Sequence, residues 1–186
     1  MTSDRLLTRS SAAFSLIELC LLLTVVGVLG IFAVPMLSST MRSMQLSAET
    51  RKIATSLSSA KLNAITQMNP YRISFDADAN SWRLQKYDRT TTTFQTQQAE
   101  NTLSDGLANS GIMLKSSSGH ELTGYPSESS ASVTFNVRGF PVDSTGAPTA
   151  NNVIYVSDSD CDYAITVSLT GKVQVLKYRS SQWVSQ

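Results

Sequence analysis

Hydrophobic and polar positions divide this chain into three stretches. The first residues, Met1–Ala13, are mostly polar, and the segment from Leu19 to Leu37 is then apolar except for Thr24, two glycines and Pro35. Beyond it, apolar residues recur first with helical spacing and later in alternation with polar ones. This order predicts an apolar helix, an amphipathic helix and a set of short strands. At ~1.5 Å per residue, the apolar helix is long enough to cross a ~30 Å hydrocarbon core.

The amphipathic helix is predicted over Ser38–Met68, which contains neither glycine nor proline. Apolar side chains recur there at spacings of seven, four, three, four and four residues. These positions are Leu46, Ile53, Leu57, Ala60, Ala64 and Met68. They form one stripe of a helix, which requires a partner surface to cover it. Asn69-Pro70 should end the helix, because proline lacks a backbone donor and disfavours helix in the residue before it.

After Pro70, alternating runs separated by turn residues predict antiparallel strands. The predicted strands are Tyr71–Phe75, Trp82–Tyr87, Thr93–Thr96, Ile112–Lys115, Ser132–Val137, Val153–Ser157, Tyr163–Ser168 and Lys172–Tyr178. Asp76, Asp78 and Asn80 are expected at the tip of a hairpin, and Thr170-Gly171 is expected to form the tight turn of the closing hairpin. The predicted fold class is therefore α+β, with a long amino-terminal helix packed against an antiparallel β-rich head.

Composition argues against catalysis. The 186 residues include 15 Lys and Arg, 14 Asp and Glu, and one histidine. His120 lies in a Ser/Gly-rich stretch and is expected to be a solvated loop residue, so no histidine-based triad or multi-histidine metal site can be built. No glycine-rich phosphate loop and no Cys-x-x-Cys occurs. The sequence predicts a protein that is not an enzyme and needs no cofactor, and its near-zero net charge gives no general attraction to polyanions.

Glu18 is the one acid close to the apolar run. An ionised carboxylate inside a bilayer costs about 2.5–3.5 kcal/mol on insertion scales, so such a group is expected to have a function and a cationic partner. The helix offers no nearby cation. A cut before Phe14 would free an α-amine four residues from Glu18, and on another copy of the helix that amine could meet the carboxylate.

The polar leader, Phe14, Glu18, the apolar stretch and Pro35 together resemble a type IV prepilin or pseudopilin. The resemblance implies cleavage between Ala13 and Phe14 by prepilin peptidase, N-methylation of Phe14 and assembly into a helical filament. It assigns assembly roles to Glu18 and Pro35. Pro35 either kinks the helix or marks a zone that loses helicity in the filament. Ala13 departs from the glycine that the family usually has before the cut. The alternative is an ordinary single-pass anchor, which leaves Glu18 and Pro35 unexplained.

The resemblance also implies an organisation along the chain. The leader is residues 1–13, the transmembrane and filament-core helix 14–37, the amphipathic helix 38–69 and the β-rich head 70–186. Basic residues flank both sides of the apolar run, so charge alone does not settle its orientation. The family implies an inner-membrane, single-pass protein with its head in the periplasm.

Within this superfamily the head is most similar to the GspH/FimT group of minor pseudopilins. The segments that carry the similarity are Ala60–Ile65 leading into Arg72–Phe75, Val133–Asn136 with Arg138-Gly139, and Ile165–Val173. The group implies a minor pseudopilin or minor pilin of a type II secretion system or type IV pilus, at or near the tip, which helps to initiate assembly and protein secretion. The implied partners are major and other minor pseudopilins and the inner-membrane assembly platform. A membrane-anchored binding module that does not assemble is a third hypothesis.

Three alternating acids, Asp158, Asp160 and Asp162, are a candidate calcium site. They could converge on Ca²⁺ in a loop, as calcium sites occur in some pseudopilins, although nearby acids are more often simply solvated.

A DNA-binding role is the alternative function. Some FimT-like minor pilins bind DNA during natural transformation through a Gly-Arg-x-Arg motif near the carboxyl end. The corresponding Gly171-Lys172-Val173-Gln174 keeps one cation and loses the second. Lys172, with Lys177 and Arg179 nearby, could contact phosphates. The competing interpretation is a surface hairpin with scattered cations, and Gln174 with the nearly neutral head favours assembly over DNA uptake.

Overall fold

The computed structural model describes residues 15–103, 111–113, 120, 122–123, 125, 131–149, 152–157 and 161–186, with the backbone alone at 30–39 and 111–113. The chain divides into two compact units, Met1–Thr40 and Met41–Gln186. One helix, α1 (Leu16–Thr66), and eleven strands make up the described secondary structure. This arrangement confirms the predicted α+β class.

In the first unit, α1 is apolar around its whole circumference. Its leucine, isoleucine and valine side chains up to Leu29 are 49–80% exposed. The hydroxyl of Thr24 donates to the carbonyl oxygen of Leu21 at 2.8 Å, so this polar group is satisfied within the helix. The backbone of α1 continues as helix through Pro35. Among the described residues, no helical stretch combines the length and the apolar character of a membrane span.

In the second unit, the predicted apolar stripe is the buried face of α1. Its members from Leu46 to Ala64 have no exposed surface. Met68 is the exception, at 67% exposed, because α1 ends at Thr66 and Met68 has a left-handed φ of 48°. The backbone N–H of Asn69 donates to the carbonyl oxygen of Ala64 at 3.3 Å, as in a Schellman cap. The stripe therefore ends at Ala64, one member earlier than predicted.

Two antiparallel sheets form the rest of this unit. The strands of the first sheet are β1 Tyr71–Asp76, β2 Ser81–Asp88, β3 Thr93–Thr96, β4 Asn101–Thr102, β6 Ser132–Phe135 and β7 Pro141–Val142. Those of the second are β5 Gly111–Met113, β8 Asn152–Ser157, β9 Asp162–Val167, β10 Val173–Arg179 and β11 Gln182–Ser185. The first sheet has the order β3-β2-β1-β6-β7, with β4 also pairing with β2, and the second has the order β11-β10-β9-β8-β5.

The buried stripe of α1 and one face of each sheet share a single core. Leu57 of α1, Phe135 of the first sheet and Ile165 of the second are all completely buried in it. Burying one such side chain contributes about 1.5–3 kcal/mol. Along β1 the side chains alternate between buried and half-buried, so Arg72 and Ser74 lie on the face of the first sheet that is directed away from the core.

The eight predicted strands are all present, but three short ones were not predicted. They are β4, β7 and β11. The turn at Thr170-Gly171 does join β9 to β10, yet it is not the last hairpin, because β10 pairs with β11 as well. Ser180 and Ser181 form that final turn with φ values of 48° and 64°. Such turns usually carry Asn-Gly, and a pair of serines therefore gives little sequence signal.

Candidate functional site

The candidate assembly site begins at the amino end of α1. The backbone N–H groups of Glu18 and Leu19 donate to the carbonyl oxygen of Ser15 at 3.0 and 3.1 Å, which places Glu18 in the first helical turn. A negative charge in the first turn interacts favourably with the helix dipole, by about 0.3–1 kcal/mol. Ala13 and Phe14 lie outside the described residues, so cleavage and N-methylation stay predictions, as do the assembly roles of Glu18 and Pro35.

Glu18 is a single charge on an apolar surface. Its side chain is exposed, as are its neighbours Leu16 at 80% and Ile17 at 75%. Among the residues that the structure describes, no lysine or arginine forms an ion pair with Glu18. This surface can be covered only by lipid or by other protein, and the carboxylate is then in place to accept hydrogen bonds from a cation of another molecule.

The three candidate DNA-contacting cations are not brought together. Lys172 and Arg179 are both exposed, but Lys172 precedes β10 and Arg179 is the last residue of that strand, so the two are about 20 Å or more apart along the extended chain. Lys177 is 91% buried, and its amine lies 5.0 Å from the centroid of the Tyr163 ring. Lys177 therefore stabilises the inner face of the second sheet in this structure and presents no amine to a phosphate.

A different set of basic residues lies near Lys172, where α1 and two turns of the head are in contact. The amine of Lys61 in α1 donates to the carbonyl oxygen of Gly171 at 2.9 Å. Gly139, in the turn between β6 and β7, is so close to Gly171 that a methyl group at 171 would overlap its carbonyl oxygen. Exposed Arg138 and Lys172 each adjoin one of these glycines. Sequence reasoning missed this grouping because its members come from three separate elements.

Asp162, one of the three candidate calcium ligands, has a different partner. It is only 8% exposed, and its Oδ2 atom lies 3.0 Å from Nδ1 of His120. The His120 ring stacks on Tyr178 with 3.9 Å between ring centroids. His120 lies outside the helix and the strands, as predicted, but its side chain is only partly solvated because it contacts an acid and an aromatic ring. No pattern in the sequence points to this contact.

The other two acids, Asp158 and Asp160, lie outside the described residues. Within the described part of the chain, no three His, Cys, Asp or Glu side chains come close enough to hold a metal ion. Calcium binding stays a prediction, to be checked by a thermal melt with and without EGTA. Asp76, by contrast, accepts hydrogen bonds from the backbone N–H groups of Asp78 and Ala79, which confirms the predicted hairpin tip.

Comparison with known proteins decides the family. The sequence model of the family described as Type II transport protein GspH matches residues 49–171, about two thirds of the chain. The chain belongs to the GspH family. A search of curated proteins returned no match.

Two solved structures support this assignment at the level of the fold. The minor pseudopilin EpsH of the type 2 secretion system of Vibrio cholerae is 13% identical, with a TM-score of 0.51 over 72% of this chain and 97% of that one. The type IV minor pilin FimU of Pseudomonas aeruginosa is 13% identical, with a TM-score of 0.52 over 76% of this chain and 94% of that one. At this identity the likeness shows a shared pilin-like fold.

Membership of the GspH family confirms the coarse functional prediction. The chain is a pseudopilin of this type II transport family, located in the cell envelope and assembled with other pseudopilins. The minor pseudopilin EpsH and the type IV minor pilin FimU share its fold. It is a structural component of a filament and not an enzyme.

Proposed function

We propose that this GspH-family chain is cut between Ala13 and Phe14, N-methylated at Phe14 and assembled into the pseudopilus of a type II secretion system. The observation that carries the proposal is Glu18, a lone carboxylate in the first turn of a helix whose other side chains up to Leu29 are almost all apolar and exposed. The family description supports secretion. The similarity to FimU supports an alternative in which the same mechanism of assembly operates in a type IV pilus.

Charge pairing explains why processing and assembly are coupled. Placing the Glu18 carboxylate in hydrocarbon costs about 2.5–3.5 kcal/mol. A cation at about 4 Å returns about 4 kcal/mol at an effective dielectric constant of ~20. Before cleavage, the nitrogen of Phe14 is a neutral amide and offers no charge. After cleavage it is an α-ammonium group, so only a processed neighbour neutralises Glu18.

The remaining assignments follow from this mechanism. Prepilin peptidase removes residues 1–13, residues 14–37 anchor the chain in the inner membrane and then enter the filament core, and residues 38–69 lead to the periplasmic head of residues 70–186. The inner-membrane assembly platform is the site of incorporation. Both structural relatives are described as minor subunits. A subunit needed in few copies fits a position at or near the tip, where it helps to initiate assembly.

The test is a Glu18→Gln variant of the full chain, expressed with its sibling pseudopilins. We expect Edman sequencing of the membrane-bound form to begin at N-methylated Phe14 in both the parent protein and the Glu18→Gln variant. The amount recovered in sheared filaments should fall about tenfold or more for Glu18→Gln, as the loss of ~1.4 kcal/mol requires. Asp78→Asn, which removes an exposed carboxylate at the tip of the β1–β2 hairpin of the head, should assemble normally. A mature protein beginning at Met1, or normal assembly of Glu18→Gln, would contradict the proposal.

DNA uptake is the competing function, and one observation favours it. Lys172 is accompanied by Lys61 and Arg138, a more basic grouping than the sequence around Gly171 indicated. If this end of the head binds DNA, Lys172→Ala should reduce the slope of log affinity against log salt by about one, whereas Arg179→Ala, at the far end of β10, should change it less. The absence of a mobility shift at low salt would end this alternative.

A further inference from the structure

Two hairpin turns of the head have the same construction and lie side by side. Residues 136–140 join β6 to β7, and residues 168–172 join β9 to β10. In each turn the N–H of the fourth residue, a glycine with positive φ, donates to the carbonyl oxygen of the first residue at 2.8 Å. Hairpin loops of this kind, closed by a left-handed glycine, are common. The close approach of Gly139 to Gly171 brings the two turns together.

Side chains hold both turns in one conformation. The Oδ1 atom of Asn136 accepts hydrogen bonds from the backbone N–H groups of Arg138 and Phe140, at 2.9 and 3.0 Å. The hydroxyl of Ser168 accepts one from the backbone N–H of Lys172 at 3.1 Å. A surface that is already ordered loses little conformational entropy when it binds, so these turns are preorganised for a partner.

The two turns and the end of α1 carry positive charge only. We call these three segments, residues 60–66, 136–140 and 168–172, the basic junction. It contains Lys61, Arg138 and Lys172 but neither Asp nor Glu. No carboxylate among the described residues forms an ion pair with any of the three cations. The hydrogen bonds of Lys61 are made to neutral carbonyl oxygens, so its charge is not compensated there.

The three cations are close enough to act on one partner. The Cε atom of Lys61 lies 3.2 Å from the position that a Cβ atom would take at either Gly139 or Gly171, so this side chain lies between the two turns. Arg138 and Lys172 are exposed, and each adjoins one of these glycines. Because the glycines are in contact, the Cα atoms of Arg138 and Lys172 are at most about 14 Å apart.

Exposed apolar side chains belong to the same three segments. Ile65, Phe140 and Leu169 are 40%, 38% and 47% exposed. Ile65 lies one helical turn after Lys61, and its Cδ1 atom occupies the space beside the Cα atom of Gly139. Scattered apolar residues are ordinary on a protein surface, whereas a group of them rimmed by polar residues marks an interaction site. A phosphate backbone gains nothing by covering such side chains, so the junction favours a protein over DNA.

We propose that the basic junction binds a segment of another protein in which aspartate or glutamate side chains adjoin apolar ones. Arg138 and Lys172 pair with the carboxylates, and the three exposed apolar side chains of the junction cover those of the partner. Charge complementarity selects the acidic partner. The contact uses the head alone and needs neither cleavage nor Glu18, so its failure would leave the proposed assembly role untouched.

The experiment measures fluorescence anisotropy of three labelled ten-residue peptides with the full chain in detergent. Each peptide has a neutral dye at its amino end and an amidated carboxyl end, so that side chains supply all the charge. The first alternates aspartate with leucine, the second has asparagine in place of aspartate, and the third has serine in place of leucine. We expect the first peptide to bind about tenfold more tightly than either of the others, because each of those lacks one kind of contact. Protein-free micelles provide the background, and a labelled DNA duplex is measured in the same buffer.

Variants locate the binding on the junction. Arg138→Gln and Lys172→Gln should each weaken binding of the first peptide by about threefold to fivefold, as the loss of an exposed ion pair implies, and leave the second peptide unaffected. Leu169→Ser should remove the advantage of the first peptide over the third. Arg179→Gln and Val184→Ser are matched controls, because they change an exposed cation and an exposed apolar side chain outside the junction. Thermal melts establish that each variant is folded.

Four outcomes would overturn the proposal. The first is that the acidic, apolar peptide does not bind above the micelle background. The second is that it binds no more tightly than the peptide that lacks aspartate or the peptide that lacks leucine. The third is that the DNA duplex binds more tightly than this peptide, and the fourth is that the junction variants lose no more affinity than the controls.

Discussion

The amine of Lys61 donates a hydrogen bond to the carbonyl oxygen of Gly171, 2.9 Å away and 110 positions later in the sequence. This bond joins α1 to the turn between β9 and β10, with a second, longer bond at 3.3 Å to the carbonyl oxygen of Thr170. Because the turn carrying Gly139 packs against the same place, three elements meet at one point of the head. Lys61 therefore links the helix to turns of both sheets.

Replacing Lys61 by methionine should lower the free energy of unfolding by about 1–2 kcal/mol. Hydrogen bonds from a charged donor contribute about 1.5–3 kcal/mol, and the half-buried position of Lys61 reduces that value. The measurement is urea unfolding of the full chain in detergent, followed by fluorescence of the buried Trp82. Arg51→Met, at an exposed position of the same helix, is the control and should change stability little. Equal changes in the free energy of unfolding for the two substitutions would show that the Lys61 hydrogen bonds do not contribute to stability.

Gly171→Ala should be more destabilising than Gly146→Ala. Both glycines have positive φ values, 71° and 83°, so each alanine costs roughly 1–2 kcal/mol for the left-handed conformation. A methyl group at 171 would in addition overlap the carbonyl oxygen of Gly139, whereas one at 146 meets nothing within 4 Å. The same unfolding assay compares the two variants. Similar losses of unfolding free energy for Gly171→Ala and Gly146→Ala would mean that the turns of Gly139 and Gly171 are not in close contact.

Truncating the buried stripe of α1 should have a large effect on the head. Leu57 is completely buried in the core that α1 shares with the two sheets, and Leu57→Ala should cost about 2–5 kcal/mol through lost burial and a cavity. Leu62, five residues later in the same helix, is 60% exposed, and Leu62→Ala should cost less than about 0.5 kcal/mol. Differential scanning calorimetry of the two variants provides the comparison. A small effect at Leu57 would contradict the shared core.

The head should lose stability in acid because some of its carboxylates accept hydrogen bonds in the folded state. The Thr145 hydroxyl and backbone N–H groups lower the pKa of Asp143, and the Arg83 guanidinium with the Ser81 hydroxyl lowers the pKa of Glu100. A lowered folded-state pKa means that the stabilisation is present above the unfolded-state pKa, about 4, and is lost as the pH falls through the lower folded-state value. Thermal melts between pH 7 and pH 2 measure this loss.

Asp143→Asn tests the contribution of one of these groups. The variant should melt earlier than the parent at pH 7, and the difference should shrink below pH 4, where the parent carboxylate also becomes protonated. Asp78→Asn, on the exposed tip of the β1–β2 hairpin, is the control. A constant difference between Asp143→Asn and the parent across the whole range would exclude an electrostatic origin.

Local patterns were sufficient to predict most of the secondary structure. The helical spacing from Leu46 to Ala64 identified the buried face of α1, and alternation identified eight strands, because side-chain periodicity follows directly from backbone geometry. The two-residue strands β4 and β7 were missed because two residues show no period. The strand β11 was missed because Ser180-Ser181 is not a typical hairpin turn.

The candidate sites also differ in whether the sequence alone could identify them. Glu18 was identifiable from the sequence, because a charge within an apolar run has a cost that depends only on its immediate neighbours. The approach of Lys61 to Gly171, the contact of His120 with Asp162, and the contact between the turns of Gly139 and Gly171 each join residues distant in the sequence. No local pattern contains such pairs.

The sequence by itself determined the helix, its buried stripe, the positions of most strands and the lone carboxylate at Glu18, since each depends on residues close together along the chain. Only the tertiary structure decided that the strands form two sheets against one helix face, that Lys177 is buried, and that Arg72 and Asn152 line a common groove. The physical reason is that strand pairing and packing depend on contacts between distant segments, which many arrangements of the same local elements could supply.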